Sequence, residues 1–274
     1  MRFSICNEIF QGWSMEQTAR FAASTGYDAI EIAPFTLADR VTAVPQSERR
    51  KVRETVAASG LAISAIHWVL AKTSGLHLTH PDAAVRDRTS QYLCELVDFC
   101  SDLGSSTIVI GSPKQRDCLP GVAQEQAWDW ATEVFRNAVG RASDQAVILC
   151  LEPLGTTETN FINTAAEAIR FIEEFNTPSL RIILDVKAMS SEAKPVPDII
   201  RASWPHFAYF HANDPNLKGP GFGSTDFGPI AQALTDVGYH GYVSVEVFDF
   251  SDGPEAIATR SLACLKAAFS RTVK

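Results

Sequence analysis

The chain has 274 residues, of which 46% are hydrophobic and 20% are charged, a composition typical of a globular enzyme and not of a disordered protein. Its formal net charge of −8 argues against a nucleic-acid or anionic-membrane partner, because both would require a basic surface. The sequence contains no apolar run of about 18 residues, so no membrane span is predicted. We also expect no signal peptide. The six cysteines show no CxxC spacing, so we expect free thiols in a reducing cytoplasm.

Short apolar runs recur along the chain, and segments with helical periodicity lie between them. Amphipathic helices are predicted over residues 14–25 and 82–104. The last helix is predicted over residues 253–269, because Pro254 stands where proline favours a helix start. The eight apolar runs are RFSIC (2–6), AIEIA (29–33), LAISAIHW (61–68), STIVIGS (106–112), VILCLEPL (147–154), RIILDV (181–186), FAYFHAN (207–213) and YVSVEVF (242–248).

Strands that alternate with helices predict a parallel sheet covered by helices. Eight such units in about 250 residues fit a (β/α)8 TIM barrel, an α/β fold. The competing fold is a doubly wound open sheet, which more usually has a glycine fingerprint after its first strand; residues 5–14, ICNEIFQGWS, contain no GxGxxG. No shift in composition marks a linker, so we predict a single-domain barrel over residues 1–274.

Polar residues at the strand ends are the first candidates for chemistry, because the active sites of TIM barrels lie at the carboxyl ends of the strands. Glu152 follows a buried apolar run, where a carboxylate is costly unless something there requires it. Asp185, His211 and Glu246 end the next three runs, one in each βα unit. Adjacent strands lie about 5 Å apart, so the four side chains can converge on one point at the barrel mouth.

Three carboxylates and one imidazole in this arrangement indicate a metal site. Carboxylates packed together repel one another and would hold protons unless a cation compensates their charge. An oxygen-rich set with a single imidazole suits Mn²⁺ first, with Mg²⁺, Co²⁺ or Zn²⁺ as alternatives. The competing interpretation is that each acid is neutralised separately and that the histidine is a core residue. Four consecutive strand ends favour a shared divalent ion.

Other residues are predicted to face the same mouth. His67 can bind a substrate hydroxyl, although a structural role is the alternative, and Trp68 can form an apolar wall. Asn7 follows the first strand. Lys187 would share a face with Asp185 if the strand continued, and otherwise would be a solvated loop residue.

A glycine-rich segment, LKGPGFGS (217–224), follows the seventh strand, where many barrels bind phosphate. Lys218 would add positive charge to such a site. The alternative is a tight loop that leads into a helix capped by Thr225 or Asp226.

The motifs LEPL, LDV, YFHANDP and VSVEVF resemble those of the xylose-isomerase-like barrels of the sugar phosphate isomerase/epimerase superfamily. The spacing is most similar to that of its ketose 3-epimerases. The resemblance implies one divalent metal bound by the four strand-end residues, with Glu152 and Glu246 as acid/base groups on either side of the sugar. It also implies that Glu158 binds substrate. Two substrate contacts of those epimerases are absent: Ala188 stands at their histidine position and Leu217 at their arginine position.

We therefore expect a divalent-metal-dependent isomerase or epimerase that acts on a sugar or sugar phosphate. One Glu would take a proton next to the carbonyl and the other would return it, while the metal stabilises the enediolate. A lyase or dehydratase on a keto-acid or keto-cyclitol is the first alternative, and a non-catalytic sugar-binding barrel is another. A DNA-repair endonuclease of this fold would need about three metal ions and a basic groove. Six histidines and a net charge of −8 do not supply them, so this function is disfavoured. We expect a cytoplasmic enzyme with a small carbohydrate partner, and homo-oligomerisation is left open.

Overall fold

The computed structural model describes residues 1–272, which form one closed barrel of parallel strands in sequence order. The last strand pairs with the first, with Phe3 opposite Val243, and this pairing closes the barrel. The predicted single-domain (β/α)8 barrel is confirmed; Val273 and Lys274 lie outside the described residues. The strands are β1 (Arg2–Cys6), β2 (Ala29–Ile32), β3 (Ala62–Ile66), β4 (Thr107–Ile110), β5 (Ile148–Leu151), β6 (Leu180–Asp185), β7 (Phe207–Ala212) and β8 (Tyr242–Val245).

Helices cover the outside of the barrel. Ser14 caps the first helix with a reciprocal capping box, and Asp82 caps the third, so both begin one residue after the predicted start. Within residues 1–272 the α-helices are α1 (Met15–Thr25), α2 (Gln46–Ala58), α3 (Ala83–Asp102), α4 (Gln124–Asp144), α5 (Ala165–Glu173), α6 (Val186–Met189), α7 (Val196–Ser203), α8 (Phe227–Asp236) and α9 (Pro254–Phe269). No helix in this described range is long and apolar enough to cross a membrane.

Most strands are shorter than the apolar runs that predict them. β3, β5 and β8 end one residue before His67, Glu152 and Glu246, so these side chains stand just above the strands. Asp185 is the last residue of β6, and His211 lies one residue before the end of β7. The sequence therefore delivers five polar side chains to one end of the barrel.

The barrel interior below these residues is packed and partly polar. A buried apolar cluster fills the interior of the barrel and consists of Ala65, Val109, Cys150, Ile183 and Tyr209. The Tyr209 hydroxyl lies 2.7 Å from Ser64 Oγ and 3.0 Å from an oxygen of Glu31, so the polar side chains share hydrogen bonds. The interior is a filled core whose upper layer supports the mouth.

A candidate metal centre at the barrel mouth

The structure brings Glu152, Asp185, His211 and Glu246 together. One ligand atom from each lies within 4.8 Å of the others, and all four residues are buried. His211 Nδ1 is central, because it lies 3.1 Å from Glu246 Oε2 and 4.0 Å from an oxygen of both Glu152 and Asp185. The convergence expected from the strand-end spacing is present.

The chemistry of this cluster fits a divalent cation. His211 Nδ1 and Glu246 Oε2 are buried without a hydrogen-bond partner, which leaves two strong ligand atoms free. Burial, followed by the charges of Glu246 and Asp185, raises the pKa of Glu152 to about 8. Burial and the charge of Glu246 likewise raise the pKa of Asp185 to about 6. A dication at the centre would relieve this repulsion and satisfy the free atoms.

Glu31 orients the imidazole of His211. Both oxygens of the fully buried Glu31 carboxylate lie close to His211 Nε2, at 3.0 and 3.2 Å. Burial alone would raise the pKa of Glu31, but His211 and His67 outweigh it and lower that pKa to about 2. An ionised Glu31 therefore accepts the Nε2 proton of His211, and Nδ1 is left facing the cluster.

Asp185 is fixed by two hydrogen bonds. Its Oδ1 accepts the backbone N–H of Ala188 at 2.7 Å, as the cap of α6, and its Oδ2 accepts from Asn213 Nδ2 at 2.5 Å. The same Asn213 accepts the backbone N–H of Lys187 at 2.8 Å. These bonds fix the carboxylate in one orientation toward the cluster.

Glu152 depends on a glycine in the neighbouring strand connection. A Cβ atom built on Gly111 would lie 1.6 Å from Glu152 Oε2, so only glycine leaves room for this carboxylate. Arg116, which is 1% exposed, donates to the backbone carbonyls of Glu152 and Ile110, both at 2.5 Å. The ends of β4 and β5 are thus tied together directly beneath the Glu152 side chain.

Trp68 holds the carboxylate of Glu246 by a hydrogen bond. Its indole Nε1 donates to Glu246 Oε1 at 2.9 Å, and its ring centroid lies 6.0 Å from that of Phe248. The backbone of Trp68 has a φ of 53°, in the left-handed region that bulky residues rarely adopt. Such strain is typical of functional sites, where the surrounding structure holds a side chain in place.

His67 lies between two carboxylates beside the cluster. Its Nε2 is 2.9 Å from Glu8 Oε1 and its Nδ1 is 3.4 Å from Glu31 Oε1, and the side chain is fully buried. Burial lowers the pKa of His67, but Glu8 and Glu31 outweigh it and raise that pKa to about 9. One ligand atom each from Glu8, His67 and Glu246 lies within 4.8 Å of the others, so Glu8 adjoins the centre.

The mouth contains a small cavity between two larger lobes. The cavity over the cluster has a volume of about 70 Å³, and its walls include Trp68, Glu152, Glu246 and Phe248. One lobe, called the Glu158 lobe, has about 440 Å³ and is lined by Gly155, Thr157, Glu158, Lys187, Ser190, Ser191, Pro215, Leu217 and Phe248. The other, called the Glu8 lobe, has about 480 Å³ and is lined by Asn7, Glu8, Phe10, Gln11, Gly12, Trp13, Met15, Thr18, Phe35, Thr36, Leu37, Lys72 and Phe250.

Two further predicted residues lie in the Glu158 lobe. Lys187 Nζ pairs with Glu158 Oε1 at 2.7 Å and lies 4.2 Å from the centroid of the Phe248 ring. Lys187 does not share a strand face with Asp185, as one interpretation of the sequence required, because β6 ends at Asp185 and Lys187 belongs to α6. It faces the lobe because this short helix turns over the strand end.

Asn7 and Lys218 make their hydrogen bonds and ion pairs with residues outside the four converging side chains. Asn7 accepts the backbone N–H of Ala33 at 2.7 Å and donates to Thr36 Oγ1 at 2.9 Å, so its amide ties β1 to β2. Lys218 pairs with Asp252 and lies 3.7 Å from Asp249, which places its ammonium in a surface ion cluster. The residue that caps α8 is Asp226, whose carboxylate accepts the N–H of Gly228.

Several residues that contribute to the site were not singled out in the sequence, among them Asn213 and Phe248. Glu31 lies inside the AIEI strand and Glu8 follows β1 in a short 3-10 helix. Gly111 and Arg116 belong to the segment after β4. An acid within an apolar strand was a usable signal for Glu31, because the same argument selected Glu152.

Comparison with known proteins agrees with the fold. The model of the xylose isomerase-like TIM barrel family matches residues 19–268, and the chain belongs to this family. Among its curated relatives, the D-psicose 3-epimerase of Agrobacterium fabrum is 27% identical over 86% of this chain and 82% of its own length. The 3-dehydro-D-guloside 4-epimerase of Escherichia coli K12 is 29% identical over 46% of this chain and 48% of its own length.

A solved structure of a D-psicose 3-epimerase in the presence of D-fructose superposes with a TM-score of 0.86. It covers 98% of this chain and 99% of its own, at 22% sequence identity, and therefore supports the fold. The curated relatives named above are epimerases, which are isomerases, so the expected enzyme class is confirmed at this level.

Proposed function

We propose that this chain is a divalent-metal-dependent sugar epimerase or isomerase. The observation that carries the proposal is that Glu152 and Glu246 line one cavity beside Asp185 and His211. Both glutamates are buried; Trp68 donates to Glu246 Oε1, and Gly111 leaves room for the Glu152 carboxylate. Two carboxylates in one cavity are the groups needed to remove a proton from a carbon next to a carbonyl and to return it.

The residues of the chain have distinct tasks in this reaction. Glu152 and Glu246 transfer the proton, and Asp185 and His211 complete the set of metal ligands. Trp68 holds the Glu246 carboxylate in place through its indole N–H. When bound, a divalent ion supplies positive charge that stabilises the negative charge developing on the substrate oxygens. The aromatic walls formed by Trp68 and Phe248 limit access of water to the reacting carbon.

The names of the relatives support epimerisation over the lyase alternative. A D-psicose 3-epimerase and a 3-dehydro-D-guloside 4-epimerase both invert a carbon of a sugar derivative, and both match this chain. Because Ala188 and Leu217 replace the substrate-binding histidine and arginine expected of ketose 3-epimerases, we propose a substrate other than a free 2-ketohexose. Glu158 and Lys187 line the same lobe as Leu217, and we propose that they bind substrate hydroxyls there.

The test is a panel of ketoses, keto-sugars, keto-cyclitols and their phosphates, incubated in D₂O with the Mn²⁺-reconstituted protein and followed by NMR. The expected result is deuterium incorporation next to the carbonyl together with inversion or isomerisation, and its loss in Glu152→Gln. The exposed variant Glu16→Gln is the matched control and should behave as the wild type. An unsaturated product would establish the lyase, and a metal-loaded protein that exchanges no proton in any compound would contradict both.

A further inference from the structure

The Glu158 lobe is the space into which a sugar bound at the cluster can extend. The cavity over the four converging side chains, about 70 Å³, holds about two water molecules at about 30 Å³ each, so it is too small for a whole sugar. Glu158 and Phe248 line both this cavity and the lobe, so the two spaces adjoin. The volume of the lobe, about 440 Å³, lies in the range of about 300–1,000 Å³ typical of small-molecule sites.

The lining of the Glu158 lobe has a polar part and an apolar part. The polar part comes from the segments after β5 and β6, where Lys187 Nζ pairs with Glu158 Oε1 at 2.7 Å. The apolar part comes from the segments after β7 and β8 and consists of Pro215, Leu217 and Phe248. The Phe248 backbone N–H donates to the Leu217 carbonyl at 2.8 Å, so these two residues are direct neighbours. A ligand in the lobe therefore meets hydrogen-bonding groups in one part and carbon in the other.

Leu217 is presented to the lobe in a strained conformation. It is 45% exposed, and its backbone φ of 72° lies in the left-handed region that bulky side chains rarely adopt. Its N–H donates to the Asp214 carbonyl at 2.9 Å, and its carbonyl accepts the N–H groups of Phe248 and Asp249 at 2.8 and 3.0 Å. These bonds hold the strained residue in place. Because an exposed leucine stabilises the fold little, core packing does not account for this arrangement, and such strain is typical of ligand-binding positions.

The polar neighbours of Leu217 in sequence are engaged elsewhere. The Lys218 ammonium pairs with Asp252, and the Asn216 side-chain amide donates to the Phe222 carbonyl at 3.2 Å. Of these three consecutive residues only Leu217 lines the lobe. A hydroxyl placed against its side chain would lose hydrogen bonds to water without gaining a partner there. A methyl group in the same position would instead bury apolar surface against Leu217.

We propose that the apolar part of the Glu158 lobe binds a terminal methyl group, so that the substrate is a deoxyketose and Leu217 is the residue that selects it. This inference rests on the proposed function. The carbonyl end of the reacting unit occupies the central cavity, and the rest of the sugar extends into the lobe. Its hydroxyls face Glu158 and Lys187, while its methyl group contacts Leu217 and Phe248.

The kinetic test compares ketoses with and without a terminal hydroxyl, using the Mn²⁺-loaded protein. D-fructose and L-fructose are each compared with their 1-deoxy and 6-deoxy analogues, because either end of the chain can occupy the lobe. At least one deoxy sugar should have a kcat/KM higher than that of its parent by about tenfold or more, because an apolar site discriminates against an added hydroxyl by this order. The gain should come chiefly through KM. Equal or lower kcat/KM for all four deoxy sugars would overturn the inference.

Variants assign the preference to Leu217. Leu217→Asn removes the apolar side chain but keeps a residue that tolerates a positive φ, so the ratio of kcat/KM between deoxy and parent sugar should fall by about tenfold while the melting temperature does not drop. Leu217→Met keeps an apolar side chain and should keep most of the ratio. Ala146→Asn, at an exposed residue with a φ of 54° before β5, is the control and should leave the ratio unchanged. A ratio that survives Leu217→Asn would contradict the role of Leu217.

A binding measurement separates this inference from the proposed function. Calorimetry compares D-mannitol with 1-deoxy-D-mannitol, which have no carbonyl and cannot be turned over; the two ends of D-mannitol are equivalent, so one deoxy compound suffices. The deoxy compound should bind more tightly to the Mn²⁺-loaded wild type, and Leu217→Asn should abolish the difference. If no sugar is turned over but this difference is found, the proposed function fails and the methyl site stands. If sugars are turned over and neither assay shows a preference for the deoxy compound, the methyl site fails alone.

Discussion

His211 Nε2 lies 3.0 Å from Glu31 Oε1, deep inside the barrel. This contact fixes the orientation of the imidazole ring, and it leaves Nδ1 directed at Glu246, Glu152 and Asp185. The orientation of the single nitrogen ligand is therefore set by a residue of β2, one position before that strand ends at Ile32.

Glu31→Gln tests this contact. The amide keeps the size of the side chain but loses the negative charge that holds His211, so Mn²⁺ affinity should fall by about 10–100-fold. Calorimetric titration of the metal-free protein with MnCl₂ measures the change. Glu16→Gln, on the exposed face of α1, is the control, and an unchanged affinity in Glu31→Gln would show that His211 needs no such partner.

The variant Glu246→Gln distinguishes a role of Glu246 in metal binding from a role in proton transfer. The amide keeps the volume and one ligand oxygen but removes the basic site. At saturating Mn²⁺, turnover should still fall by at least about 100-fold, the usual contribution of a general base. Recovery of near-wild-type turnover in excess Mn²⁺ would leave Glu246 as a metal ligand without a proton-transfer role.

Gly111→Ala tests the space beside Glu152. Because the new Cβ would stand 1.6 Å from Glu152 Oε2, the carboxylate must move, and kcat should fall by about 100-fold if that group transfers protons. Gly140→Ala, within α4, is the matched control, since its added Cβ meets nothing within 4 Å. Circular dichroism should show both variants folded, and wild-type turnover in Gly111→Ala would mean that Glu152 tolerates displacement.

Metal binding should tighten as pH rises. In the metal-free protein, burial and neighbouring charges raise the pKa of Asp185 to about 6 and that of Glu152 to about 8, so both hold protons below these values. A cation must displace those protons, and the apparent affinity should therefore increase through pH 6 to 8 as they are lost. Calorimetry in two buffers of different ionisation enthalpy counts the released protons, and a pH-independent affinity without proton release would contradict the expected protonation states.

D-fructose and D-tagatose should be poor substrates because the positions of two substrate contacts carry Ala188 and Leu217. The double variant Ala188→His with Leu217→Arg should improve C3 epimerisation of either sugar, chiefly by lowering KM. Ser190→His with Leu37→Arg, which adds the same groups elsewhere at the mouth, serves as the comparison. Efficient C3 epimerisation by the unmodified chain would show that both contacts are dispensable.

The barrel and its four converging side chains could be predicted from the sequence because both depend on local patterns. Each βα unit has an apolar run followed by a helical segment, and the acids and the histidine stand where these runs end. Glu152, for example, follows four consecutive strand residues of which three are fully buried. The signal is strong since a carboxylate in that position requires compensation.

The support around those residues could not be predicted in the same way. Arg116 reaches the backbone of Glu152 across 36 positions of sequence, and Gly111 matters only because β4 and β5 are neighbours. The pairing of Lys187 with Glu158 depends on a one-turn helix directly after β6, where the sequence pattern left strand and loop both open. Such relationships arise from tertiary packing, and no local period encodes them.

The circular order of the strands has a consequence for the growing chain. Glu31 and His67 are synthesised early, whereas Glu246 follows β8, the last strand, whose pairing with β1 closes the ring. During translation Glu31 and His67, which are buried in the folded barrel, therefore lack their complete set of partners until residue 246 has been synthesised. A divalent ion captured at that moment would join the ends of β5, β6, β7 and β8, so metal supply during synthesis should affect the yield of folded protein.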